Sequence, residues 1–172
     1  RSEDAVKHHA EITYLAAFTS DSARLVTASF DGTVQIADTR SLQPTKEFAA
    51  HKSEVSGLSI SPDDRYLATF GFEGMWRVWD LASGGQVFEV SAQLPANFAG
   101  GARGPATRIS AHLLEKQYFS RDGRRVALST GPGEVSVFEV PSGRVICVAK
   151  NQRGWSYRNL FINPCGAKLT RY

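Results

Sequence analysis

The sequence predicts an all-β chain built from tandem repeats, and three observations carry that expectation. Asp31-Gly32-Thr33-Val34-Gln35-Ile36-Ala37-Asp38 returns as Glu73-Gly74-Met75-Trp76-Arg77-Val78-Trp79-Asp80 at an offset of 42 residues, and His9 and His51 share that offset. The separations Phe18 to Ala37, Ile60 to Trp79 and Phe119 to Phe138 are all 19 residues. Val34/Ile36, Trp76/Val78 and Val135/Val137 alternate with Gln35, Arg77 and Ser136, the period of a strand that buries one face. No long segment carries a helical period.

Taken in order, the repeats run near 9–50, 51–90 and 110–149, with an incomplete copy over 153–172. In the first two, Asp31-Gly32 and Glu73-Gly74 suit tight hairpin turns because glycine accepts positive φ. Ser61-Pro62-Asp63-Asp64 and Ser120-Arg121-Asp122-Gly123 supply turn residues between the first two strands of their repeats. In the first repeat, Ile12 and Leu15 fall one residue out of step with Val55 and Leu58, which predicts a bulge there. The third repeat is displaced by 59 residues, and the excess falls in an insertion near 91–109. The fourth copy starts at Trp155 and places Asn163-Pro164-Cys165-Gly166 in the turn position.

His51, the alternating strand Trp76-Arg77-Val78 and the dipeptide Trp79-Asp80 carry a resemblance to the WD40-repeat β-propeller family, whose period is about 40–45 residues. The resemblance implies four-stranded blades, here an arc of about three with the start of a fourth, and one partial propeller domain over 1–172. It also implies that His51, Thr69, Glu73 and Trp79 form the family's structural hydrogen-bond network, with Glu73 in place of the usual Asp. The first repeat has His9, Thr27, Asp31 and Ala37 at those positions. Ala37 has no N–H to donate, so that network is expected to be incomplete. The third repeat departs further, with Ser110 at the histidine position and Pro132 at the turn acid. Three repeats leave open edges, so the arc is expected to belong to a larger propeller completed by more of the same protein or by another chain.

Charge and composition narrow the function classes. The content is 42% hydrophobic and 22% charged, ordinary for a globular protein, with no apolar run long enough for a membrane helix. The net charge of +3 divides unevenly, with residues 1–90 acidic and 91–172 basic, which suits an acidic partner surface or nucleic acid. The start at Arg1 fits a processed, trimmed or partial chain and carries no apolar signal segment. Two cysteines and no glycosylation sequon point to a reducing intracellular setting. A cytoplasmic location is expected, with nuclear or cytoskeletal association left open.

No nucleophile elbow, phosphate loop or zinc-binding helix motif is present, so no enzyme, cofactor or metal site is expected. Adjacent His8 and His9 would point to opposite faces of a strand, a poor arrangement for joint metal ligation. Asp38 and Asp80 read as structural acids at strand ends. The expected function is instead a scaffold or adaptor binding other proteins of a multi-subunit assembly. By the family topology, Phe30 and Phe72 precede equivalent turn acids on one face, and the insertion with Phe98, Arg103 and Arg108 emerges there too. Aromatic and arginine side chains are frequent interface anchors. The alternative is RNA binding by a basic set, Arg121, Arg124, Arg125, Lys150, Arg153 and Arg158, interleaved with Trp155 and Tyr157.

Overall fold

A computed structural model describes residues 9–93, 118–131 and 134–150, with two short strands at 161–162 and 169–170. All regular structure among them is β, in antiparallel sheets. The first sheet is a four-stranded meander of β1 (Thr13–Phe18), β2 (Arg24–Ser29), β3 (Thr33–Asp38) and β4 (Pro44–Ala49). The second repeats it with β5 (Val55–Ile60), β6 (Tyr66–Gly71), β7 (Met75–Asp80) and β8 (Gln86–Ser91).

Among the described residues the third sheet has β9 (Arg125–Gly131), β10 (Glu134–Glu139) and β11 (Val145–Lys150). On the inner side of β9, a bridge pairs Phe119 with Val126. A two-rung ladder between β12 (Phe161–Ile162) and β13 (Leu169–Thr170) begins a fourth unit.

Alternation along each strand sends every second side chain to a neighbouring sheet. Val26, Ala28, Val34 and Ile36 meet Val55, Leu58, Leu67 and Trp79 in one buried cluster. Ala68, Phe70, Trp76 and Val78 meet Phe119, Val126, Leu128 and Phe138 in the next. Burying such a side chain contributes about 1.5–3 kcal/mol, so sheet-to-sheet packing dominates the stability of the arc.

The first repeat does carry a bulge, at Tyr14, but the second carries the same one at Ser56. The two backbones are therefore in step. The misfit in the sequence is a change of side chains: Leu15 stands opposite Ala28 where Gly57 stands opposite Phe70. Each rung holds one large and one small residue, with the order exchanged. A Cβ on Gly57 would come within 2.9 Å of the Cβ of Phe70, so the large partner in one strand requires the small one in the other.

At one end of the sheets the first two strands of each repeat join through the same turn. The hydroxyls of Thr19, Ser61 and Ser120 each donate to Asp21, Asp63 and Asp122 at 2.6 Å. Ser22, Asp64 and Gly123 follow with φ of 58°, 56° and 66°. The Asp64 carboxylate then accepts from the N–H of Ser20, at 2.8 Å, clamping the first repeat to the second. Asp38 and Asp80 cap their turns, accepting from the N–H groups of Ser41 and Ser83 at 2.9 and 2.7 Å. These bonds hold both carboxyls below the usual aspartate range.

Candidate interaction surfaces

The opposite end of the sheets holds the turns Ser29–Thr33 and Gly71–Met75, each closed by a glycine with positive φ, 84° at Gly32 and 82° at Gly74. The network under the second turn is complete. Trp79 Nε1–H donates to Thr69 Oγ1 at 2.8 Å, and Thr69 lies 2.8 Å from His51 Nε2. Glu73 lies 2.7 Å from His51 Nδ1. One tautomer satisfies Trp79, Thr69 and Glu73 together: the Thr69 hydroxyl donates to Nε2, and Nδ1–H donates to Glu73. Burial pushes the His51 pKa down, outweighing the pull of Glu73. For Glu73 burial is an upward influence, but hydrogen bonds from Ser53 and His51 overcome it and hold the carboxyl low.

Arg77, absent from the expected set, extends the network. It donates to Ala50 O at 2.8 Å and to Glu73 at 3.0 Å, and its Nε reaches Glu89 at 3.0 Å. The legible signal was Glu89 directly across the ladder from Arg77.

The first repeat builds a variant of the same network. His9 Nε2 lies 2.9 Å from Thr27 Oγ1, but Nδ1 meets Thr33 Oγ1 at 2.8 Å, and Thr33 donates to Asp31 at 2.6 Å. The hydroxyl of Thr33 relays the histidine to the acid, and the buried Ala37 has no N–H to give Thr27. In the third sheet Leu128 and Phe138 occupy the threonine and tryptophan positions and are both buried. Apolar packing replaces hydrogen bonding there.

Phe30 and Phe72 occupy equivalent places beside these turns and are half-buried. The Phe30 ring lies 5.3 Å from Tyr14, tilted at 45°. Tyr14 is the bulged residue and is 43% exposed, and nearby Ile12, 63% exposed, accepts the N–H of Phe30 at 3.1 Å. Tyr14 and Phe30 thus form an aromatic pair that sequence reading missed, with the exposed Ile12 joined to Phe30 through the backbone. In the second repeat Glu54 takes the place of Ile12 and accepts the N–H of Phe72. Phe98, Arg103 and Arg108 lie outside the described residues.

The basic set is not one patch. Arg121 and Arg124 are exposed and Arg125 half-buried at the turn end of the third sheet. Lys150 sits at the other end of β11, 3.0 Å from Glu134, about 17 Å away for a six-residue strand. It therefore shares the end that bears Phe30 and Phe72. Arg153 and Arg158, with Trp155 and Tyr157, lie outside the described residues.

Comparison with known proteins agrees with this geometry. Residues 3–38 and 42–80 match the family described as WD domain, G-beta repeat. Telomerase protein component 1 of Mus musculus is 27% identical over 78% of this chain, and that of Rattus norvegicus is 27% identical over 90%. The chain spans only 5% and 7% of those relatives. Autophagy-related protein 18 of Meyerozyma guilliermondii is 32% identical over 63% of the chain and 17% of its own length. Among solved structures, the WD40 repeats of RRP9 superpose with a TM-score of 0.62 at 14% identity, covering 85% of this chain and 41% of that one. A structure of U3-55K gives the same values. The repeats, the blade-by-blade packing and the His51 network together identify residues 3–80 as WD40 repeats, built as blades of the β-propeller fold.

Proposed function

We propose that this arc is a non-catalytic scaffold or adaptor segment that binds other proteins of an intracellular multi-subunit assembly. The observation that supports it most is the Tyr14–Phe30 ring pair, with Tyr14 and the adjoining Ile12 exposed at the same end as the Phe72 turn. Apolar anchors rimmed by polar groups are the usual core of a protein interface, and Glu11, Glu54 and Lys52 supply such a rim. The insertion residues Phe98, Arg103 and Arg108 would add contacts from the same end.

Tyr14→Ala with Phe30→Ala and Phe72→Ala should abolish partner capture in affinity purification with little change in far-ultraviolet circular dichroism. Partners retained by the triple variant would overturn this reading. A second reading is RNA binding through Arg121, Arg124 and Arg125, three arginines within five residues on one turn. Capture lost on RNase treatment, steeply salt-dependent and lost on reversing those arginines, would favour it instead.

A further inference from the structure

The outer strands of the three sheets differ at matched positions. Ladder pairing aligns Pro44, Gln86 and Val145, which stand opposite Ala37, Trp79 and Phe138. It likewise aligns Glu47, Glu89 and Val148, opposite Gln35, Arg77 and Ser136. The first sheet thus guards its outer edge with a proline and a charge, and the second with an amide and a charge. Such residues keep open strand edges from pairing with other chains. β11 has lost both. Val145, Ile146 and Val148 are 50%, 39% and 46% exposed, and β11 is the edge of its sheet, with its outer backbone groups outside any ladder among the described residues.

At this edge the more exposed member of each ion pair is basic. Arg144 and Lys150 bracket β11, with side chains 71% and 73% exposed, even while they pair with Glu139 and Glu134. Residues 118–150 carry five basic groups, including Arg121 and Arg124, against three acidic ones.

We infer that β11 is a docking edge on the rim of the arc, which takes an extended partner segment as an added strand. The segment has aliphatic side chains at alternate positions, packing on Ile146 and Val148, and a carboxylate at each end, meeting Arg144 and Lys150. Main-chain bonds along the edge supply affinity, and alternate side chains and end charges supply selectivity. This surface runs along the outer rim and reaches the Phe30 end only at Lys150, so the Phe30 variants and the β11 variants can fail independently.

The test uses fluorescein-labelled Glu-Val-Thr-Val-Thr-Val-Glu and a counterpart with lysine at both ends. The acid-flanked peptide should bind saturably by anisotropy and slow amide exchange across 145–150, with the lysine-flanked one about tenfold weaker or worse. Val148→Glu, which restores the acid of the other two sheets, should remove binding, and Val145→Pro should do the same. Gln86→Glu on β8 should leave it intact. Circular dichroism and melting check that each variant is folded, and Val148→Glu changes only an exposed side chain. The inference is overturned by absence of saturable binding, by equal binding of both peptides, or by binding that survives Val148→Glu. It is also overturned if a short bis-maleimide joins Cys147 to Cys147 in a Cys165→Ser background, since a second copy would then occupy the edge.

Discussion

Thr69 is the pivot of the second repeat, accepting from Trp79 with one lone pair and donating its single proton to His51. Thr69→Val keeps the shape but strands the indole N–H and the imidazole Nε2 in a buried site. Each unsatisfied group costs about 1–3 kcal/mol, and chemical denaturation should show a loss in that range or above. The pH dependence follows from the direction of the His51 shift. Its folded pKa lies below the 6.5 of the unfolded chain, so stability is full above that pH and falls as the unfolded state gains a proton the folded state resists. Melting temperature should drop below pH 6.5 and level off once the folded imidazole is itself protonated. His51→Gln should flatten that slope, and an unchanged slope would assign it to other groups. The network of the second repeat was legible because its four residues keep their spacing. The relay through Thr33 was not, since a hydroxyl two residues beyond the turn acid has no distinguishing pattern in sequence.

Strands and turns were legible where alternation and glycine marked them, as at Gly32 and Gly74. The shared bulge was hidden because the large residue on one rung had changed strands. Leu15→Gly alone removes packing against Ala28, and Ala28→Phe alone overfills the same space, each costing about 1–4 kcal/mol. The pair together reproduces the rung of the second repeat. A double-mutant cycle should therefore show favourable coupling above about 0.5 kcal/mol. Simple additivity would mean the two positions do not compensate.

Across the whole arc the two flanks of the first blade are unlike. The flank toward the second blade is buried, whereas the other exposes Phe18 and Leu42. On that outer flank Ala37 and Thr39 stand where the second blade presents Trp79 and Leu81 and the third Phe138 and Val140. Phe18→Ser should change stability by less than about 0.5 kcal/mol. Ile60→Ser, at the matching place but packed against the first core cluster, should cost about 1–3 kcal/mol. Equal effects would mean both flanks are covered alike. The arc itself was readable from repeat spacing, and the insertion near 91–109 is the one place where the period of the first three repeats breaks.

Leu42 adopts φ of 56° where the later blades have Gly84 and Gly143. Those glycines lie under the preceding outer strand, where a Cβ would come within 3.0 Å of Lys46 or Phe88. The three repeats are therefore not spare parts for one another. Shuffling the first into second place would drive a leucine into its neighbour's rim, so the order of the blades is written into side-chain volume as well as into the chain.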